Sequence, residues 1–209
     1  MVTNVSTTIF QNAAGTPALN LLNGDTLNLL PTGFILATGA GASPGVQAAG
    51  SNVFNLAGTI ISTQYFGIEL TAGGNNFNIG SPATIFGAVN GLRINGAGGN
   101  TISNAGDIGS VRTSVLVLGN SNTFSNSGNI ISTGNDALDF QSGSNTVTNS
   151  GYISGTGGDG LQIVGANNNV FNTGTLIGGV CAVDFDGNLG IDALFNAGTM
   201  IGTNVFGYD

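Results

Sequence analysis

One seven-residue phrase returns along this chain with little change: Asn100-Thr-Ile-Ser-Asn-Ala-Gly106, Asn122-Thr-Phe-Ser-Asn-Ser-Gly128 and Asn145-Thr-Val-Thr-Asn-Ser-Gly151. Its last residue anchors a longer series, Gly33, Gly58, Ala83, Gly106, Gly128, Gly151, Gly174 and Gly198, spaced 22 to 25 residues apart. A unit of that length cannot bury an apolar face alone and must stack on its neighbours. The repeat therefore restricts the chain to solenoid-like folds before any single residue is considered.

Aligning the anchors brings out four apolar columns. Four residues before each anchor stand Leu29, Phe54, Ile79, Ile102, Phe124, Val147, Val170 and Leu194. Two residues after it stand Ile35, Ile60, Ile85, Ile108, Ile130, Ile153, Leu176 and Met200. Further along come Val46, Ile68, Leu92, Leu116, Leu138, Leu161 and Val183, and two positions beyond these Ala48, Leu70, Ile94, Leu118, Phe140, Ile163 and Phe185. Columns separated by a single residue carry the period-two mark of a strand, whereas helical spacing is missing throughout. The 37 glycines also oppose helix, each by about 1 kcal/mol. The expected fold is all-β: a right-handed parallel β-helix of about eight three-strand coils. Residues 25–209 form the repeat domain, and residues 1–24 form a partial N-terminal coil or cap.

Polar columns follow the same period. Asn104, Asn126, Asn149, Asn172 and Asn196 precede their anchors by two residues, and Asn52, Asn100, Asn122, Asn145 and Asn168 precede theirs by six. An amide both donates and accepts, so a stack of amides can bond along the whole rod. The anchor glycines are expected to supply a positive φ at the corner. With Phe124, Ile130, Leu138 and Phe140 as representative core positions, these asparagines are the expected structural ladders.

Composition excludes several functions. The net charge is −8, from ten carboxylates against Arg93 and Arg112 alone. Nucleic acid and anionic membrane surfaces both require clustered cations, which this chain lacks. No apolar run approaches the roughly 18 residues of a spanning helix. Met1-Val2-Thr3-Asn4 does not read as an export leader. Cys181 is the only cysteine, so it forms no intramolecular disulfide or thiolate metal cluster, and a buried thiol is expected. No cofactor is expected.

The stretch Asn-Thr-Val-Thr-Asn-Ser-Gly-Tyr-Ile-Ser-Gly, from Asn145 to Gly155, resembles repeats in autotransporter and haemagglutinin-like passenger regions. That resemblance extends over roughly Leu27 to Met200. It implies a β-helical scaffold, extracellular or at a bacterial surface, with a structural or adhesive role and a host or matrix surface as partner. The other expected partner is the chain itself. Phe10, Leu19 and Leu21 at one end, with Met200, Val205 and Phe206 at the other, are the expected contacts of head-to-tail stacking, since an open β-helix end leaves a coil of strand edges unpaired.

Polysaccharide lyases and hydrolases use the same fold, so an enzyme is the alternative. Sugar hydrolysis needs paired carboxylates. Asp184 and Asp186 alternate along one expected strand, and Asp139 falls in the same outward column, which reads Glu69, Arg93, Val117, Asp139, Gln162 and Asp184. A solvated outer face explains that column equally simply. The lack of His and Lys removes most alternative bases, so no catalytic residue is assigned. Asp136 and Asp159 occupy equivalent positions near Asp139 and form the one grouping that suggests calcium, but no metal ligand is assigned. Thr101/Ser103, Thr123/Ser125 and Thr146/Thr148 form an outward ladder like the ice-contacting faces of β-helical antifreeze proteins, although surface Thr is ordinary on a strand.

Overall fold

The computed structural model describes residues 1–96, 98–186 and 190–208; of residues 204–208 it describes the backbone alone. The chain winds into a parallel β-solenoid of nine coils. Each coil contributes one strand to each of three nine-stranded sheets. Sheet A runs from Val2–Val5 to Ala193–Asn196, sheet B from Thr8–Gln11 to Thr199–Ile201, and sheet C from Leu19–Leu21 to Asn204–Tyr208. Coil 6 is representative, with strands Thr123–Asn126, Asn129–Ser132 and Leu138–Phe140. The coil count exceeds the expected eight because residues 1–24 supply Val2–Val5, Thr8–Gln11 and Leu19–Leu21, one strand for each sheet.

The core is one apolar column running the length of the stack. Phe124, Ile130, Leu138 and Phe140 are fully buried, and the rings of Phe124 and Phe140 meet edge to face at 6.5 Å within coil 6. Between coils, Phe54 stacks on Phe77 at 3.9 Å. Every strand pair in the three sheets is parallel, so each inward residue lies on the equivalent residue of the next coil.

Two parts of the expected register are corrected. Leu29 and Ile79 pair with Leu56, not with Phe54; the true partners of Phe54 are Leu27 and Phe77. The corners Leu30-Pro31-Thr32 and Gly80-Ser81-Pro82 are two residues longer than the others and close with bonds from Gly33 N–H to Leu30 O and from Ala83 N–H to Gly80 O, both 2.8 Å. Because the shift is even, Leu29 and Ile79 still point inward. In coil 5 the shift is odd. Val115 and Val117 face the core, while Leu116 points outward between Arg93 and Asp139. Only four residues lie between Ser110 and Val115, against five between Ser132 and Leu138.

The anchor glycines also serve a different end from the one expected. None of them has positive φ. A Cβ on Gly128, Gly151, Gly174 or Gly198 would lie 2.1 to 2.3 Å from the carbonyl oxygen of the glycine one coil earlier, so side chains are excluded by close stacking of corners. Positive φ falls instead just before the second asparagine ladder, at Ser51, Gly74, Gly99, Ser121, Ser144 and Asn167.

Candidate functional site

Four surfaces of the rod carry chemistry, and each is set by a column. The first is the amide ladder at the A–B corner. Asn104 Nδ2 donates to Asn126 Oδ1 at 2.7 Å, Asn126 to Asn149 and Asn149 to Asn172 at 2.8 Å, and Asn172 to Asn196 at 2.7 Å. Each of these amides also donates to the carbonyl of its own anchor glycine, as Asn126 does to Gly128 at 3.1 Å. The first four asparagines are buried, and Asn196 is the exposed last rung.

The second ladder bonds side chain to main chain. Asn52, Asn75, Asn100, Asn122 and Asn145 each donate a backbone N–H to the Oδ1 of the next rung at 2.9 to 3.0 Å. Asp25 donates to Asn52 at one end, and Asp192 accepts from Asn168 at the other. Asp25 and Asn75 stand eight residues before Gly33 and Ala83, outside the fixed offset of six, while Asp192 keeps that offset from Gly198 but carries a carboxylate in place of the amide. Asn75 follows the left-handed Gly74, and that pairing of a Gly, Ser or Asn with a following Asn was the available signal.

The third surface is the outer side of sheet C with its corner to sheet B. Its column reads Gln47, Glu69, Arg93, Leu116, Asp139, Gln162 and Asp184, with Leu116 in place of the expected Val117. Gln47 Nε2 donates to Glu69 at 3.0 Å, Arg93 lies 3.9 Å from the other Glu69 oxygen, and the Arg93 guanidinium covers the Phe66 ring at 4.7 Å. Gln141 Nε2 donates to Asp139 Oδ1 at 2.6 Å, and Gln162 Nε2 to Asp186 Oδ2 at 2.8 Å. Asp136 accepts from Asp159 N–H at 2.8 Å, and Asp159 in turn from Cys181 N–H at 2.7 Å, so these carboxylates form a short ladder of their own. Cys181 is buried.

Burial pushes the Asp139 carboxyl up to about 6; the bond from Gln141 opposes this, and Asp136, Asp186 and Asp159 add to it. Asp159 is also raised, again chiefly by burial. A carboxyl that titrates near 6 is able to exchange protons close to neutral pH. Among the described residues, no three of these side chains converge on a point where a cation would be held.

The fourth surface comprises the outer sides of sheets A and B. Thr101/Ser103, Thr123/Ser125 and Thr146/Thr148 do stack outward on sheet A, between Asn76/Asn78 and Asn169/Phe171, and Phe171 lies flat on Phe195 at 5.1 Å. Sheet B has two outward columns, a mostly polar one that includes Thr59, Thr84, Asp107 and Asn129 and a mainly apolar one beside it. Phe10, Leu36, Ile61 and Phe86 follow one another outward through coils 1 to 4, and Ile131, Ile177 and Ile201 continue the column beyond Gly109 and Ser154.

The expected end contacts are divided between these surfaces. Phe10 does not lie on the end cross-section but projects sideways from sheet B, 57% exposed, while its neighbour Ile9 turns inward. Leu21 is fully buried, leaving Leu19 and Met200 as half-buried residues packed against the terminal core. The side chains of Val205 and Phe206 lie outside the described residues; their strand, Asn204–Tyr208, pairs with Cys181–Phe185. No known protein family, curated protein or solved structure matches this chain.

Proposed function

We propose that this chain is a structural solenoid that stacks end to end into filaments and works as an adhesive or matrix scaffold outside a bacterial cell. The reading rests on the two end faces. Among the described residues the outermost coils contribute the edge strands of all three sheets, so a whole coil of backbone donors and acceptors has no strand partner there, around a half-buried apolar centre of Ile9 and Leu19, or of Leu194 and Met200. Parallel sheets are polar along the stack, so the last coil of one copy offers the first coil of another the same pairing that any two coils share. Such a contact is heterologous and propagates. The extracellular, bacterial setting is supported by the resemblance of the Asn145–Gly155 repeat to passenger regions.

Negative-stain microscopy and light scattering over a concentration series test the reading. Filaments of one coil-stack diameter are expected, lost when Leu19→Asp or Met200→Asp places a carboxylate on an end. A species that stays monomeric at the highest concentration would overturn it.

Polysaccharide cleavage is the second reading, favoured by the raised Asp139 carboxyl beside Asp136, Asp159 and Asp186. Sugar release by the wild type, abolished by Asp139→Asn, Asp184→Asn or Asp186→Asn, would establish it in place of the scaffold.

A further inference from the structure

We infer that the outer face of sheet B is a lateral docking surface for a second copy of this chain, separate from the end faces. All strands of the described residues are used in the three sheets, so none lies across this face. Its outward column is nevertheless apolar in seven of the nine coils, Gly109 and Ser154 excepted, with Phe10 57%, Ile131 41% and Ile201 52% exposed at its two ends and near its middle. A column of this kind spends nothing on solubility in a chain that has few charges to spare, and single exposed apolar residues do not explain one that keeps register from end to end.

Three observations name the occupant. The first is charge. Two copies at net −8 repel, and sheet C would present carboxylates to a partner, whereas the outward residues of sheet B include one carboxylate, Asp107, which accepts from Asn129 at 2.8 Å. The second is length. With coils about 4.8 Å apart the column is roughly 40 Å long. A partner must carry apolar groups over that distance at that spacing, and the same column on another copy does so. The third is area. A face about 40 Å by 13 Å gives roughly 1,000 Å² buried in total, the lower bound for a specific interface.

Shape fixes the arrangement. A two-fold axis parallel to the strands and passing through coil 5 sets coil 4 against coil 6 and coil 3 against coil 7. Phe86 then meets Ile131 of the other copy twice, and Ile61 meets Ser154. Gly109 lies on the axis, at the floor of a depression of about 330 Å³ whose walls include Phe86 and Ile131. The central contact is thus made by Phe86 and Ile131, the rims of the depression, while the two depressions face each other across the axis.

Sedimentation velocity over a concentration series tests the proposal, carried out in the Met200→Asp background where filaments form. A concentration-dependent dimer is expected, and Ile131→Asp or Phe86→Asp weakens it at least about tenfold, as loss of a central interface residue does. Circular dichroism checks that each variant keeps its strands; both positions face outward, so folding is preserved. Phe86→Cys combined with Ile131→Cys gives an oxidised covalent dimer. These two positions are two coils apart in one chain, roughly 9.6 Å, too far for a bridge within it. A monomer at every concentration, dimers indifferent to both Asp variants, or a dimer without the cross-link overturns the proposal. So does a monomer that sediments with lipid vesicles or insoluble polysaccharide through this face, which would assign the face to another partner. Filaments lost in Met200→Asp but kept in Ile131→Asp separate the end contact from the lateral one, so either can fail alone.

Discussion

Asn149 sits between two other amides, donating to Asn172 at 2.8 Å and accepting from Asn126 at 2.8 Å, while its oxygen also takes the Gly151 N–H at 3.2 Å. An amide fills both roles at once, and an ionised carboxylate of the same shape cannot. Asn149→Asp replaces the donor by a second acceptor and places a charge among buried dipoles, so it is expected to lower stability by at least ~2 kcal/mol at neutral pH. The loss should shrink in acid, where the protonated carboxyl donates again. Thermal melts at two pH values check this, and an unchanged melting temperature would mean the ladder contributes nothing. Phe124 tests the apolar half of the same coil. It is fully buried against Phe140, and Phe124→Ala is expected to cost about 3–5 kcal/mol in reversible denaturation.

At the level of strands and corners, legibility in the sequence depended on how strictly polar and apolar residues alternate. In Thr123-Phe124-Ser125 one apolar side chain stands between two hydroxyls, and its inward direction is evident from the sequence. Val115-Leu116-Val117-Leu118 does not alternate, so its pattern is silent about which face turns inward; the shorter corner after Ser110 decides that. Leu29 and Ile79 were misplaced by two for a related reason, because proline corners lengthen the path without altering parity. The acidic surface was legible as a cluster of residue types, but the burial of Asp139 was not, since it arises from packing around a residue that faces outward. That burial has a pH consequence. The native carboxyl titrates at about 6 against an ordinary 3.8, so between these values the native state holds more proton than the unfolded one. Stability should therefore fall as pH rises from about 4 to about 6 and stay lower above that. Asp139→Asn is expected to raise stability at pH ~7 by up to ~3 kcal/mol and to flatten the slope. Urea denaturation at pH ~5 and ~7 measures both.

Over the whole molecule, the bonds that join coils all point along the rod: Tyr152 N–H to Gly128 O and Thr175 N–H to Gly151 O, each 2.9 Å, continue a line that the core columns follow. A force applied between the two ends loads that line in direct tension instead of sliding strands past one another, so only one coil's bonds resist at any moment. Extension in an optical trap should proceed as a regular sawtooth of low, nearly equal peaks. Each peak would release about one coil, the 23 residues that separate Asn122 from Asn145, or roughly 80 Å of slack chain. A single high rupture would contradict this. Built this way, the rod behaves under load as a reel that lengthens stepwise and dissipates work, not as a stiff strut that snaps.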